Sequence, residues 1–162
     1  MKSTILIVAG LFCVFAVAQR IHCTSPVRYY VSDFRANWYR ATEYCFYMGM
    51  QPVIVETAEE HNKVIEVVKD SNVFTNDSFI AWIGASDLGE EGIFVWHATG
   101  TRVRYANWRP GQPDNDKNQE DCVTLMNMPA AGWEWHANDE PCWNSHYFIC
   151  ENVDMRTQIG TF

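Results

Sequence analysis

The stretch Gln112-Pro113-Asp114-Asn115-Asp116-Lys117-Asn118-Gln119-Glu120-Asp121-Cys122, answered by Asn138-Asp139-Glu140-Pro141-Cys142, decides how the rest of the chain is read. Amide and carboxylate oxygens crowd both segments, and Asp87, Glu90 and Glu91 form a third group upstream. Hard oxygen donors of mixed charge suit Ca2+, which takes six to eight such ligands. Zinc would call for His and Cys at set spacings, and the histidines at 22, 61, 97, 136 and 146 form no such pair. The plainer alternative is a solvated acidic loop, since Asn and Asp also serve turns. Cys122 closes the first segment and Cys142 the second, so a bridge between them would bring the two clusters together, although the sequence alone leaves the pairing open.

Outward from these segments the chain divides into two textures. Arg28–Ser32 is aromatic and β-branched and predicts a strand. Asn37 is a helix N-cap, and Trp38, Ala41, Cys45 and Met48 follow at helical spacing, with Gly49 as the stop. Pro52–Val55 predicts a short buried strand, and Thr57 with Glu60 has capping-box spacing ahead of Val64, Ile65 and Val68. Phe79–Gly84, Phe94–His97 and Tyr147–Glu151 predict strands. Residues 105–144 predict a long irregular loop system, a pattern that inside a compact domain is usually functional. The class that follows is α+β.

The ends and the charge set the setting. Met1–Ala18 has one Lys, an apolar run from Ile5 to Val17 and a small-x-small close, the form of a secretory signal peptide. The run is shorter than the ~20 residues of a membrane span, so a secreted, extracellular protein without a membrane span is expected. The remainder divides into an N-terminal segment 19–28, a domain 29–152 and a tail 153–162. Of 162 residues, 12 are Lys or Arg and 20 are Asp or Glu, a net charge of −8. No basic block is present to neutralise phosphates, so nucleic acid is not an expected partner. Cys13 lies in the leader, leaving Cys23, Cys45, Cys122, Cys142 and Cys150. That odd number leaves one thiol over, for an inter-chain bridge or a free reactive group, and the sequence alone does not choose which among fifteen arrangements. Asn76-Asp77-Ser78 is an N-glycosylation sequon.

Taken together, Trp82-Ile83-Gly84, Asn107-Trp108, Gln112-Pro113-Asp114, Glu120-Asp121-Cys122, Asn138-Asp139 ahead of Cys142, and the closing Cys150 resemble a C-type lectin domain, in particular the short secreted single-domain lectins of invertebrates. The resemblance implies a double-loop fold of two helices and two small antiparallel sheets with a long calcium-binding loop. It also implies the bridges Cys45–Cys150 and Cys122–Cys142, which leaves Cys23 for an inter-chain disulfide and a linked dimer, in preference to a free or capped thiol. It assigns one Ca2+ to Gln112, Asp114, Glu120, Asn138 and Asp139, with a cis peptide at Pro113, and a second to Asp87, Glu91, Asn115, Glu120 and Asp121. Gln112, Asp114, Glu120 and Asn138 would also meet the sugar. Gln before Asp resembles the galactose-type order, and the reverse pair, Glu then Asn, the mannose type. The implied partners are glycans with terminal galactose or related sugars on microbial or cell surfaces, in an innate-immune role.

Two positions depart from the family pattern. Ala137 stands where Trp often precedes the Asn-Asp pair, and Asn115-Asp116-Lys117 occupies the place of a stacking Trp. Trp133, Trp135 and Trp143 either fill the core or supply that aromatic face. Two rival readings stand beside the lectin. A calcium-independent protein-binding relative is disfavoured by the complete oxygen set. An enzyme using paired carboxylates lacks any Ser/His/Asp or Cys/His pattern, so no catalytic residue is assigned.

Overall fold

The computed structural model describes residues 29–75 and 78–152. Strand β1 (Tyr29–Val31), helix α1 (Trp38–Tyr47), strand β2 (Met50–Pro52) and helix α2 (Ala58–Lys69) precede strands β3 (Phe79–Ser86) and β4 (Val95–Trp96). Strands β5 (Cys122–Met128), β6 (Trp133–Glu140) and β7 (Tyr147–Asn152) follow. The signal segment, Cys23, Asn76 and the tail from 153 lie outside the described residues.

Both helices begin where the sequence places their caps. The Asn37 side chain accepts from the Arg40 N–H at 2.9 Å, and Thr57 Oγ1 accepts from the Glu60 N–H at 3.1 Å. Glu60 departs from the reciprocal box by accepting from the Glu56 N–H at 2.8 Å, one residue before the cap. Gly49 follows the α1 cap residue Met48 at φ 69°, the left-handed position that ends helices.

The strands form one mixed sheet in the order β1-β7-β3-β5-β6, with β2 on β7 and β4 on β3. The two antiparallel groups implied by the resemblance are therefore joined, through the parallel pairs Ala81↔Tyr147 and Trp82↔Phe148. Two expectations shift. The strand placed at Pro52–Val55 lies at Met50–Pro52, because from Val53 the backbone bonds are divided between β7 and β3. The Val53 N–H donates to the Ile149 carbonyl and its own carbonyl accepts from Gly84, at 3.0 and 2.9 Å. Gly84 is required there, since a Cβ would stand 3.0 Å from the carbonyl oxygens of Pro52 and Val53. The irregular stretch placed at 105–144 contains the β5–β6 hairpin, paired from Cys122↔Glu140 to Met128↔Trp133 with a bulge beside Met126 and Asn127.

Two core clusters flank the sheet. One gathers Val53, Val64, Val68, Phe79, Ala81, Trp96, Val123, Leu125 and Ile149; the other gathers Trp38, Cys45, Trp82, Cys122, Cys142, Phe148 and Cys150. Trp38 Nε1 donates to the Ile83 carbonyl and Trp82 Nε1 to the Ala36 carbonyl, both at 3.0 Å, which locks α1 to β3. Disulfides join Cys45 to Cys150 and Cys122 to Cys142, at separations of 105 and 20 residues. In the chain-entropy account such loops are worth about 4.7 and about 3 kcal/mol. Both bridges lie within the chain and lend no support to a dimer. Among the described residues no helix is long and apolar enough to cross a membrane.

At the β2–β7 end, Glu151 Oε1 accepts from Gln51 Nε2 at 2.9 Å and from the Ile54 N–H at 3.2 Å. Burial, reinforced by Glu60 and Glu56, raises its pKa to about 7, and Tyr29, paired with it in register, is raised to about 12 by burial and by Glu151 and Glu60. A carboxyl raised in the folded state binds more protons folded than unfolded, so its contribution is present at acid pH and is lost as pH rises to about 7. Glu151→Gln keeps an acceptor oxygen and removes the charge. Denaturant titrations from pH 4.5 to 8 in chelator should show the wild type losing about 2–3 kcal/mol relative to the variant as pH rises; parallel curves would show that Glu151 titrates normally.

Candidate calcium site

The loop that follows β4 is fastened to the edge of β6 before it turns. The Asn107 carbonyl accepts from the Ala137 N–H at 2.8 Å, and the Arg109 N–H donates to the Ala137 carbonyl at 3.2 Å. Ala137 is buried, its small side chain lying where Trp108 pairs alongside in parallel. Asn107 Nδ2 donates to the Trp135 carbonyl at 3.0 Å, and Gln112 N–H closes a turn onto the Arg109 carbonyl at 2.9 Å. The Gln112–Pro113 peptide bond is cis.

From Asp114 the loop folds around one carboxylate. Asp139 is fully buried on β6, and its two oxygens accept from the N–H groups of Asp114 and Asn115, at 3.3 and 2.8 Å. Asn115 Oδ1 accepts from Glu120 N–H at 3.1 Å, and Glu120 Oε2 accepts from Asp116 N–H at 2.9 Å. Asn115, Lys117 and Asn118 take left-handed φ of 44°, 57° and 55°, a region where Asn is enriched several-fold. The Asn/Asp-rich composition therefore serves the turn as well as the donor set.

The outcome is a converging group. Carboxylate oxygens of Asp114, Glu120 and Asp139 lie within 4.8 Å of one another. Gln112 and Asn138 stand beside them in the chain, and Gln112 Oε1 and Asn138 Oδ1 are buried without a hydrogen-bond partner. The Asn138 amide is oriented by Nδ2, which donates to the Asp139 carbonyl at 2.6 Å. Orphaned buried acceptors cost about 1–3 kcal/mol each, and three carboxylates at this spacing repel. A cation relieves both costs, and an all-oxygen donor set of amide and carboxylate fits Ca2+. Glu120 and Asp139 are held above the ordinary carboxylate range, chiefly by burial; Asp139 and Asp114 add to it at Glu120, and Asp114 at Asp139.

The second expected set is brought less close. Asp87 is buried, with Oδ2 accepting from Gly92 N–H at 2.8 Å and Oδ1 unpartnered. Burial raises its pKa first, then Glu91 and Asp121. Glu91 is exposed and the Asn115 side chain is turned to Glu120, so among the described residues Asp87, Glu91 and Asp121 do not converge as the first group does.

The three tryptophans divide. Trp135 packs partly into the core, and Trp143 is 74% exposed with its ring 4.8 Å from that of Tyr39. Trp133, half-buried, carries the Arg109 guanidinium 3.9 Å from its ring centroid. Arg109 was not among the expected site residues; its only signal in the sequence is a cation between Asn107-Trp108 and Gln112.

The family profile described as Lectin C-type domain matches residues 34–152. Salivary C-type lectin 1 of Aedes albopictus is 38% identical over 151 residues, 93% of this chain and 98% of its own length. The carbohydrate-recognition domain of the human scavenger receptor C-type lectin superposes with a TM-score of 0.65 at 28% identity, covering 79% of this chain and 92% of that one. A structure titled as an SPL-1 complex with GlcNAc superposes with a TM-score of 0.64 at 25% identity, over 77% of this chain and 86% of that one.

Without metal, carboxyls raised by folding make the protein less stable as pH rises through their titration range. Ca2+ at 100 times its Kd should add about 2.7 kcal/mol, roughly 5–10 °C for a domain of this size. Glu120→Gln should melt higher than wild type in chelator, where it relieves repulsion, and lose most of the gain in Ca2+. Calorimetric melts of both proteins with and without metal check this; a wild type that melts alike in both would contradict it.

Proposed function

Because the chain belongs to the C-type lectin domain family, we propose that it is a secreted, calcium-dependent carbohydrate-binding protein with galactose-type preference, directed at glycans on microbial or cell surfaces. The observation that carries this reading is the pair of unpartnered buried oxygens, Gln112 Oε1 and Asn138 Oδ1, beside the converging carboxylates of Asp114, Glu120 and Asp139. Ca2+ held there would offer open coordination positions to two neighbouring sugar hydroxyls.

The residues themselves set which hydroxyl pair fits. The Gln112 amide has its NH2 group left to donate to a hydroxyl lone pair, and a carboxylate oxygen of Asp114 accepts a hydroxyl proton. Glu120 and Asn138 repeat that acceptor and donor pairing on the other side. Gln112 is half-buried and Asp114 exposed, so Asp114 is the more accessible to a ligand entering from solvent. With Asn115-Asp116-Lys117 in place of a stacking ring, discrimination rests on hydrogen bonds alone, about 1–2 kcal/mol. The second ion belongs to the same reading, at Asp87, Glu91, Asn115, Glu120 and Asp121. An inter-chain bridge through Cys23 would double the sites per particle, which a non-reducing gel reads directly.

Retention on immobilised galactose should require Ca2+ and disappear with chelator. The double change Gln112→Glu and Asp114→Asn keeps the charge and the number of oxygens but reverses donor and acceptor, and should move competition from free galactose toward free mannose while Ca2+ still raises the melting temperature. Retention that survives chelator would contradict the calcium mechanism, and mannose competing as well as galactose against wild type would contradict the specificity.

A further inference from the structure

Beside the loop stands a cation that no carboxylate among the described residues neutralises. Lys117 is paired with Asp116 at 2.9 Å and Lys63 with Glu59 at 2.8 Å. Among the described residues Arg109 makes no ion pair and no oxygen accepts from its guanidinium. It is nevertheless held, half-buried and lying on the Trp133 ring at 3.9 Å. A guanidinium held over a ring by its charge spends no N–H donor on an oxygen, and its planar fork remains able to grip an oxyanion bidentately.

Its place in the fold ties it to the sugar site. The Arg109 N–H is bonded to Ala137, the residue before Asn138, and the Arg109 carbonyl accepts from Gln112. Trp133 and Ala137 lie four residues apart on β6, at most roughly 13 Å at ~3.3 Å per residue, about the span of a disaccharide. The segment leading in adds charge of the same sign: Arg102 and Arg104 are exposed while Val103 and Tyr105 between and after them pack on the core. Two further cations, both exposed, thus precede Arg109 on the segment that leads into the loop, in a chain of net charge −8.

We propose that Arg109, braced on Trp133, is a subsite for an anionic substituent, a sulfate ester or a carboxylate, on the glycan held at the adjoining loop. The inference rests on the calcium-dependent sugar reading and adds a selection for acidic glycans over neutral ones. The stack fixes the guanidinium in place of a salt bridge, so the positive charge is presented without being neutralised.

The test compares surfaces bearing galactose, galactose 6-sulfate and a sialylated galactoside, in Ca2+, for wild type, Arg109→Gln and Arg109→Lys. Wild type should bind an acidic probe about tenfold tighter than galactose, the worth of one charge-assisted contact, with the ratio falling as salt is raised. Arg109→Gln should bring the acidic-to-neutral ratio to about one, and Arg109→Lys should keep part of it. Which acidic probe carries the larger ratio separates sulfate from carboxylate. Independently of retention, the Arg109 Nε–H resonance should move on adding galactose 6-sulfate and stay in place with galactose. A merely structural brace would lower the melting temperature in Arg109→Gln and leave the ratio unchanged, which overturns the inference, as does a wild type that binds acidic and neutral probes alike. Calcium-dependent binding with a ratio of one leaves the lectin reading intact; no binding of any probe overturns that reading and the subsite with it.

Discussion

The carboxylate of Asp139 is the constraint on which the loop depends. It sits fully buried at the end of β6 and accepts the backbone N–H groups of Asp114 and Asn115. A buried carboxylate is tolerated only when paired or hydrogen-bonded, and here two loop amides supply part of that compensation. The loop in turn is closed by Asn115 on Glu120 and Glu120 on Asp116, so the segment 114–120 is shaped from within and anchored at one buried point. What the amides leave unmet, in Gln112, Asn138 and the crowded carboxylates, is a demand for positive charge.

The rest of the scaffold holds that anchor still. Asp139 pairs with Val123 across the hairpin, and Val123 is in the core with Leu125 and Ile149. Cys122–Cys142 closes the same end of the hairpin, and the Trp38 N–H donates to the Cys142 carbonyl at 2.9 Å, which couples the start of α1 to the segment after Glu140. Cys45–Cys150 fastens the other end of that helix to β7. The site is a loop in its backbone but rests on strand, helix and disulfide, which suits a binding site that must be preorganised.

Local signals were legible where one residue performs one local task. Asn37 and Thr57 cap helices, Gly49 ends one, and Trp82-Ile83-Gly84 lies in a buried strand. The hairpin within 105–144 was masked because β6 carries Asn138, Asp139, Trp133 and Trp135, residue types chosen for the site rather than for alternation, and because the bulge breaks its period at Trp135. The joining of two antiparallel groups by the short parallel β3–β7 contact leaves no local mark either. At the site, oxygen-rich composition points to calcium and to the two loop segments, while the five residues of the first ion come from the family resemblance. The looser grouping of Asp87, Glu91 and Asp121 than of the first set, and the perch of Arg109 on Trp133, depend on tertiary placement that spacing does not encode.

The central claim is that a demand for positive charge, built around Asp139, is met by calcium. Calorimetric titration of Ca2+ into chelator-stripped protein, beside Asp139→Asn shown by circular dichroism to be folded, tests it most directly. The account predicts saturable binding by the wild type and its loss in the variant, which keeps an oxygen for one loop amide but gives up the buried charge. Wild-type protein that takes up no Ca2+, or a folded variant that binds as tightly as wild type, would contradict it.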